Sequence, residues 1–207
     1  MTPRGLRPLA LVVGAALALS ACAGTAEPAA APPTMPPAAT STPAPTQAPA
    51  PPTASLDPST VPEPTGLSIP ALGIEQSLIG LGVADDGTAE VPVDFDDVGW
   101  FTPGGRPGAR GPTVVMGHVD STAGPAVFYE LRDLAPGDTV ELTVADGSVA
   151  TYTVTGTEQV AKDTFPTAAV FGATADDVLR LITCTGSFDA GARSYTDNLV
   201  VTAVRTG

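Results

Sequence analysis

Three scarce side chains are the first candidates for chemistry in this chain. His118 is its single histidine, and Cys22 and Cys184 are its only cysteines. Cys22 closes an N-terminal apolar segment, which leaves one thiol and one imidazole for any folded part. A thiolate can attack a carbonyl while a nearby imidazole moves protons, so Cys184 and His118 are the minimum parts of a cysteine nucleophile and its partner. Each also has a plainer reading. A lone cysteine is often simply buried, and a lone histidine is commonly a surface or core residue. Acyl transfer also needs donors aimed at a developing oxyanion, which a guanidinium supplies. Arg193 lies nine residues after Cys184, and Arg180 lies on the same strand as Cys184. Four residues of strand separate Arg180 and Cys184 by roughly 13 Å, which favours Arg193.

These residues sit at the ends of β-like runs. Val178 to Cys184 reads as a strand, with Leu179 and Leu181 on the core face and Val178, Arg180, Ile182 and Cys184 on the other. By the same alternation Thr183 points away from Cys184 and supports the site structurally. Gly186 leaves backbone space near the sulfur. Thr113 to His118 is a strand running into a Gly/Pro-containing loop, and Asp120, two residues on, is placed to orient the ring or to sit exposed. Leu67–Ile69 and Ile74–Ile79 read as the first strands and Leu199–Val204 as the last. Thr139–Val144 and Val149–Val154 flank an Asp146-Gly147 turn and read as a hairpin. Val127–Leu134 is expected to be a short helix and Ala175–Asp177 a helical turn. Trp100-Phe101 and Phe165-Pro166 are expected to fill the core rather than wall a groove. Many short strands at this spacing predict a mainly all-β fold, a closed antiparallel barrel or a sandwich.

Composition divides the chain into three. Residues 1–21 carry Arg4 and Arg7, an apolar run and small residues before Cys22, the pattern of an export signal. Leu19-Ser20-Ala21-Cys22 resembles the bacterial lipobox, which implies cleavage before Cys22 and a lipid on its sulfur. The competing reading is an uncleaved membrane anchor, although the run is shorter than the ~20 residues a spanning helix needs. Either places the rest outside the membrane. Residues 22–64 follow as a tether: 13 prolines fall between Ala23 and Pro64, with no aromatic residue. Such a segment buries too little apolar surface to fold. Residues 65–207 hold all ten aromatic side chains and are long enough for one core.

The charge balance narrows the function classes. Nine basic against 22 acidic residues give −13, and removing Arg4 and Arg7 leaves 7 against 22, or −15. No basic footprint for nucleic acid is present. One histidine and one free cysteine do not make a zinc site, and no disulfide is available to the mature chain.

Taken together, Gly117-His118, then Leu181-Ile182-Thr183-Cys184, then Arg193 before a β-rich end resemble the sortases, cysteine transpeptidases of Gram-positive cell surfaces. Gly117-His118-Val119-Asp120-Ser121, Gly124–Phe128, Phe165-Pro166-Thr167 and Asp197–Val201 are similar more specifically to the class F group of actinobacteria. Thr185 departs from the glycine many of that group have. The resemblance spans nearly all of 65–207. It implies a closed eight-stranded β-barrel with one or two short helices, and His118, Cys184 and Arg193 as catalytic residues in an outer groove. It implies cleavage of a Leu-Pro-x-Thr-Gly-type sorting signal on surface proteins. The acyl group then passes to an amine of a peptidoglycan precursor or a pilin-like protein. A membrane-anchored monomer acting without metal or organic cofactor is the expected form. The alternative is a non-catalytic surface binding module of the same fold. An L,D-transpeptidase would carry a Ser-His-Gly-Cys-type motif, which this sequence lacks. A papain-like protease would place its cysteine before its histidine.

Overall fold

β-branched and apolar runs alternate with Gly, Pro and Asp punctuation along the folded region, and the strands follow that punctuation. The computed structural model describes residues 60–207. The signal segment, Cys22 and the tether up to residue 59 lie outside the described residues. Ten strands form: β1 Pro64–Ile69, β2 Ile74–Leu81, β3 Val98–Phe101, β4 Gly111–Gly117, β5 Asp120–Ser121, β6 Gly124–Pro125, β7 Thr139–Val144, β8 Val149–Ala161, β9 Asp177–Asp189 and β10 Ser194–Arg205. Eight of them close a barrel in the order β1-β2-β3-β4-β9-β10-β8-β7, and β5-β6 is a separate small ribbon. The expected mainly β, closed eight-stranded barrel is therefore the observed fold, and the sandwich is not. One strand begins earlier than composition suggested, since β1 starts at Pro64.

The barrel is not purely antiparallel. β2 pairs with β3 and β4 pairs with β9 in parallel, and the remaining ladders are antiparallel. Parallel neighbours need long crossovers, supplied here by residues 82–97 between β2 and β3 and by the stretch from β4 to β9. Closure covers the strand edges within the barrel itself.

Two apolar clusters pack against the wall. The interior holds Leu67, Ile69, Val115, Phe128, Tyr152, Leu179 and Leu181, all nearly inaccessible. An outer cluster holds Leu81, Val114, Met116, Val170, Ile182 and Val200, with Phe101, Phe165 and Phe171 against it. β4 and β9 therefore bury both faces, with Val115 and Leu181 inward and Met116 and Ile182 outward, as the period of two requires. The outer cluster exists because the β8–β9 connection lies over that face.

Local expectations fared unevenly. The Asp146-Gly147 hairpin forms as read: Gly147 has φ 84° and Ser148 N–H donates to Asp146 Oδ1 at 2.9 Å. Val127–Leu134 forms only a 3-10 turn, Tyr129–Asp133. Ala175–Asp177 is not helical. Asp177 instead opens β9, because its carboxylate accepts from Tyr152 Oη at 2.8 Å and Gly108 N–H at 2.7 Å. The one α-helix among the described residues, α1 Thr167–Phe171, was not foreseen. Its five residues are too few for a periodic signal. Of the aromatic residues expected in the core, Trp100 is buried, with its indole N–H donating to Gly105 O at 3.1 Å. Phe101 and Phe165 are only partly buried and belong to the outer cluster. Among the described residues no helix is long and apolar enough to cross a membrane.

Candidate active site

The parallel β4–β9 ladder brings the two scarce side chains to one end of the barrel. Its last rung pairs Met116 with Ile182. His118 and Cys184 each follow two residues after that rung. Parallel strands carry their C-terminal ends the same way, so neighbouring strands about 4.8 Å apart deliver an imidazole and a thiol to the same edge. β9 does not end at Cys184 as the sequence suggested. It continues to Asp189, paired only with β10, and Asn198 sits across from Cys184. The sulfur is therefore in mid-strand, open on the side that β4 has vacated.

A cavity of roughly 960 Å³ covers that opening and is lined by His118, Asp120, Thr183, Cys184 and Arg193. Phe101, Phe165 and Phe171 form an apolar wall, with Phe101 and Phe171 edge to face at 5.2 Å. Its volume lies within the range of ligand-binding clefts. Phe101 and Phe165 thus line the groove while packing on the outer cluster, contrary to the expected core role, whereas Trp100 fills the core as expected.

His118 is held from outside by the 82–97 crossover. Its Nε2 lies 2.7 Å from Pro92 O, and the Phe95 ring packs on the imidazole at 4.5 Å between centroids. A carbonyl can only accept, so Nε2 carries the hydrogen in this contact and Nδ1 is the nitrogen left for proton exchange. The backbone is fixed too, with Phe128 N–H donating to His118 O at 2.9 Å. Gly117 is needed just before it: an added Cβ would stand 2.8 Å from Phe128 Cδ2.

Arg193 occupies the β9–β10 turn with φ 50°, the only left-handed non-glycine among the described residues. That conformation costs on the order of 1–2 kcal/mol. The turn is fixed by Asp189 Oδ1, which accepts from Gly191 and Ala192 N–H at 2.7 and 3.1 Å. Arg193 is an exposed residue of the cavity lining, and its side chain makes no hydrogen bond or ion pair among the described residues. Arg180, the competing arginine, is instead occupied on the barrel wall, where its Nη1 donates to Thr202 Oγ1 at 3.0 Å.

Asp120 does not bond the imidazole, and it is half-buried rather than exposed. Its carboxylate accepts from the Tyr195 hydroxyl. That hydrogen bond, with burial and the Asp120 charge behind it, holds the phenol above its ordinary range. The pair clamps β10 to the loop bearing His118. Thr183 is buried beneath the cavity, with a hydroxyl that finds no partner.

Sequence reasoning missed Lys162, whose Nζ lies 3.4 Å from Cys184 Sγ. The signal was the same scarcity that exposed His118, because Lys162 is the only lysine in the chain. Tyr195 and the 82–97 crossover were missed for another reason: nothing local in sequence says which loop folds over which strand end. Among the described residues no group of three or more His, Cys, Asp or Glu side chains is placed to hold a metal ion.

A family model described as the Sortase domain matches residues 67–206. Among solved structures, sortase A from Corynebacterium diphtheriae is similar at 22% identity and a TM-score of 0.52, covering 70% of this chain and 61% of that one. Sortase C-1 from Actinomyces oris is similar at 20% identity and a TM-score of 0.52, covering 69% and 73%. Sortase C1 from Streptococcus agalactiae is similar at 22% identity and a TM-score of 0.53, covering 69% and 67%. At these identities the likeness is one of fold, and the chain spans less than two thirds of the C. diphtheriae protein. A search of curated proteins found no match.

Proposed function

The chain belongs to the sortase family, and on that footing we propose that it is a class F cysteine transpeptidase acting at the outer face of the cell membrane. The observation that carries this reading is the single cavity shared by His118, Cys184 and Arg193. A surface protein bearing a Leu-Pro-x-Thr-Gly-type signal lies along the aromatic wall. Cys184 sulfur attacks the Thr carbonyl carbon and the carbonyl electrons move onto oxygen. Arg193, free of other partners, steadies that oxyanion. Collapse breaks the Thr–Gly bond as His118 gives a proton to the leaving amine. A thioacyl enzyme remains. An incoming amine, from a peptidoglycan precursor or a pilin-like protein, attacks it and loses its proton to His118. Water in place of the amine gives slow hydrolysis. Cleavage of residues 1–21 and lipidation of Cys22 anchor the enzyme, with 22–64 as the spacer.

Full-length protein mixed with a Leu-Pro-Ala-Thr-Gly peptide and a glycine-based amine, followed by mass spectrometry, tests this. The parent yields the Thr–amine product and Cys184→Ala yields none. His118→Ala falls by at least about 10²-fold. Peptide binding without product or thioacyl adduct, across a small panel of related peptides, would replace the reading with a binding module.

A further inference from the structure

The one lysine of the chain lies against the one cysteine of the barrel. Lys162 opens the 3-10 turn Lys162–Thr164 directly after β8. Its Nζ reaches past β10 to within 3.4 Å of Cys184 Sγ and donates to Ser194 Oγ at 3.0 Å. Ser194 in turn donates to the Tyr195 carbonyl at 3.3 Å, so the ammonium is held from a second side. A neutral thiol is a weak acceptor and rewards such a contact little, whereas a thiolate rewards it strongly. Arg193, the other cation at the cavity, makes no hydrogen bond to the sulfur.

We propose that Lys162 is a catalytic cation that holds Cys184 as its thiolate, with Ser194 as the residue that positions it. The consequence for turnover rests on the transpeptidase reading, but the ion pair itself does not. The thiol proton passes through solvent to His118 Nδ1, which later gives it to the leaving amine, and the thiolate forms the S–C bond while the carbonyl electron pair moves to oxygen. Negative charge leaves sulfur in that step, so Lys162 favours the resting thiolate more than the transition state. Arg193 then meets the charge on oxygen. Because nucleophilicity falls as thiolate stability rises, a tenfold larger thiolate population gives only about a threefold faster reaction.

Other charges surround the pair. His118 and Asp120 face it from the end of β4, and Arg193 and Tyr195 from the β9–β10 hairpin. Asp163, Asp189 and Asp197 line a second hollow on the outer side of Lys162. Asp189 and Asp197 are already engaged, by turn N–H groups and by Gln159, and none of the three forms an ion pair with Lys162.

The test is iodoacetamide alkylation of the full-length protein across pH, with the adduct on Cys184 separated from that on Cys22 by peptide mapping. Lys162→Met should be alkylated at Cys184 roughly threefold more slowly at neutral pH, with the deficit closing by about pH 10, where an ordinary thiol is ionised unaided. Lys162→Arg keeps a cation and should retain most of the parental rate, which separates charge loss from misfolding. Ser194→Ala should fall between them. Equal alkylation of Lys162→Met and parent at neutral pH would overturn the proposal. So would a deficit of the same size at every pH, since that reports access, whereas loss of the charge makes the deficit reverse once both thiols are ionised and the unpaired thiolate is the stronger nucleophile. Failure of the parent to turn over any sorting peptide, with the alkylation pattern intact, would remove the transpeptidase reading and leave the ion pair standing.

Discussion

At the scale of single residues, the candidate site separates into groups proposed to react and groups that hold them. Arg193 tests that separation. It combines a strained φ of 50° with a guanidinium that makes no hydrogen bond or ion pair among the described residues, so no polar contact of its side chain offsets the conformational cost. Arg193→Ala should lower kcat/KM by about 10²–10³-fold, the usual loss for one oxyanion donor. Arg193→Gly should be equally inactive yet as stable as the parent, or more stable by up to about 1 kcal/mol, because glycine accepts the left-handed turn. Peptide kinetics beside chemical denaturation would check this, and a loss of stability in Arg193→Gly would contradict it. His118, Cys184 and Arg193 were legible in the sequence because each is scarce or placed between a strand and a loop. Lys162 was equally scarce, but its relevance depends on three strands lying side by side, a long-range fact that no local pattern carries. Asp120 was legible as a residue near the histidine but not in its bond, since Tyr195 is 75 residues away along the chain.

At the scale of elements, two strand ends and one crossover set the geometry. The runs that became β4, β7, β8, β9 and β10 were readable from alternation and turn residues. The bounds of β7 were read as they stand, Thr139–Val144, but β8, β9 and β10 are longer than read: β8 runs on to Ala161, and β9 and β10 continue past Cys184 and before Leu199 as a polar hairpin with little apolar signal. A bulge between Tyr195 and Asp197 lets that hairpin bend, with Gly186 at φ 83° beside it. The parallel β4–β9 pairing, which aligns His118 with Cys184, was not readable, because periodicity gives faces and not neighbours. Gly117 couples the strand end to the core most tightly. Gly117→Ala must displace either buried Phe128 or the residue bearing the imidazole. We expect a stability loss of about 1–3 kcal/mol and a fall in kcat/KM of at least tenfold at a temperature where the variant is fully folded, since small displacements of reacting groups are costly. Thermal unfolding and peptide kinetics on one preparation would check it; unchanged kinetics would show that Phe128 yields and His118 does not move.

At the scale of the whole molecule, the barrel is closed and stapled at a point remote from Cys184 along β9. Fully buried Tyr152 on β8 donates to Asp177 at the start of β9, and Arg205 at the end of β10 pairs with the same carboxylate at 3.2 Å. Burial first, then the Asp177 charge, pushes the Tyr152 phenol well above its ordinary range. The folded-state value exceeds the unfolded one. The stabilisation is therefore complete below the unfolded phenol's value of about 10 and fades as pH rises through the folded value. Denaturation midpoints should fall steeply above about pH 10 in the parent. Tyr152→Phe should start about 1 kcal/mol lower at neutral pH and show a shallower alkaline decline; equal slopes would contradict the assignment. The acidic composition, visible from sequence, bears on solubility and partner choice rather than on this closure. The fold class was legible as β-rich and closed only with the help of the family resemblance, since strand count and spacing alone also allowed a sandwich.

The central claim is that Cys184 takes an acyl group from a sorting signal. It is tested most directly by mixing full-length protein with Leu-Pro-Ala-Thr-Gly peptide in the absence of amine, quenching in acid within seconds, and mapping adducts by mass spectrometry. The expected result is a Leu-Pro-Ala-Thr acyl group on Cys184, release of the glycine fragment, and no adduct in Cys184→Ala. Peptide cleavage that persists in Cys184→Ala, or an acyl group found on a residue other than Cys184, would contradict it.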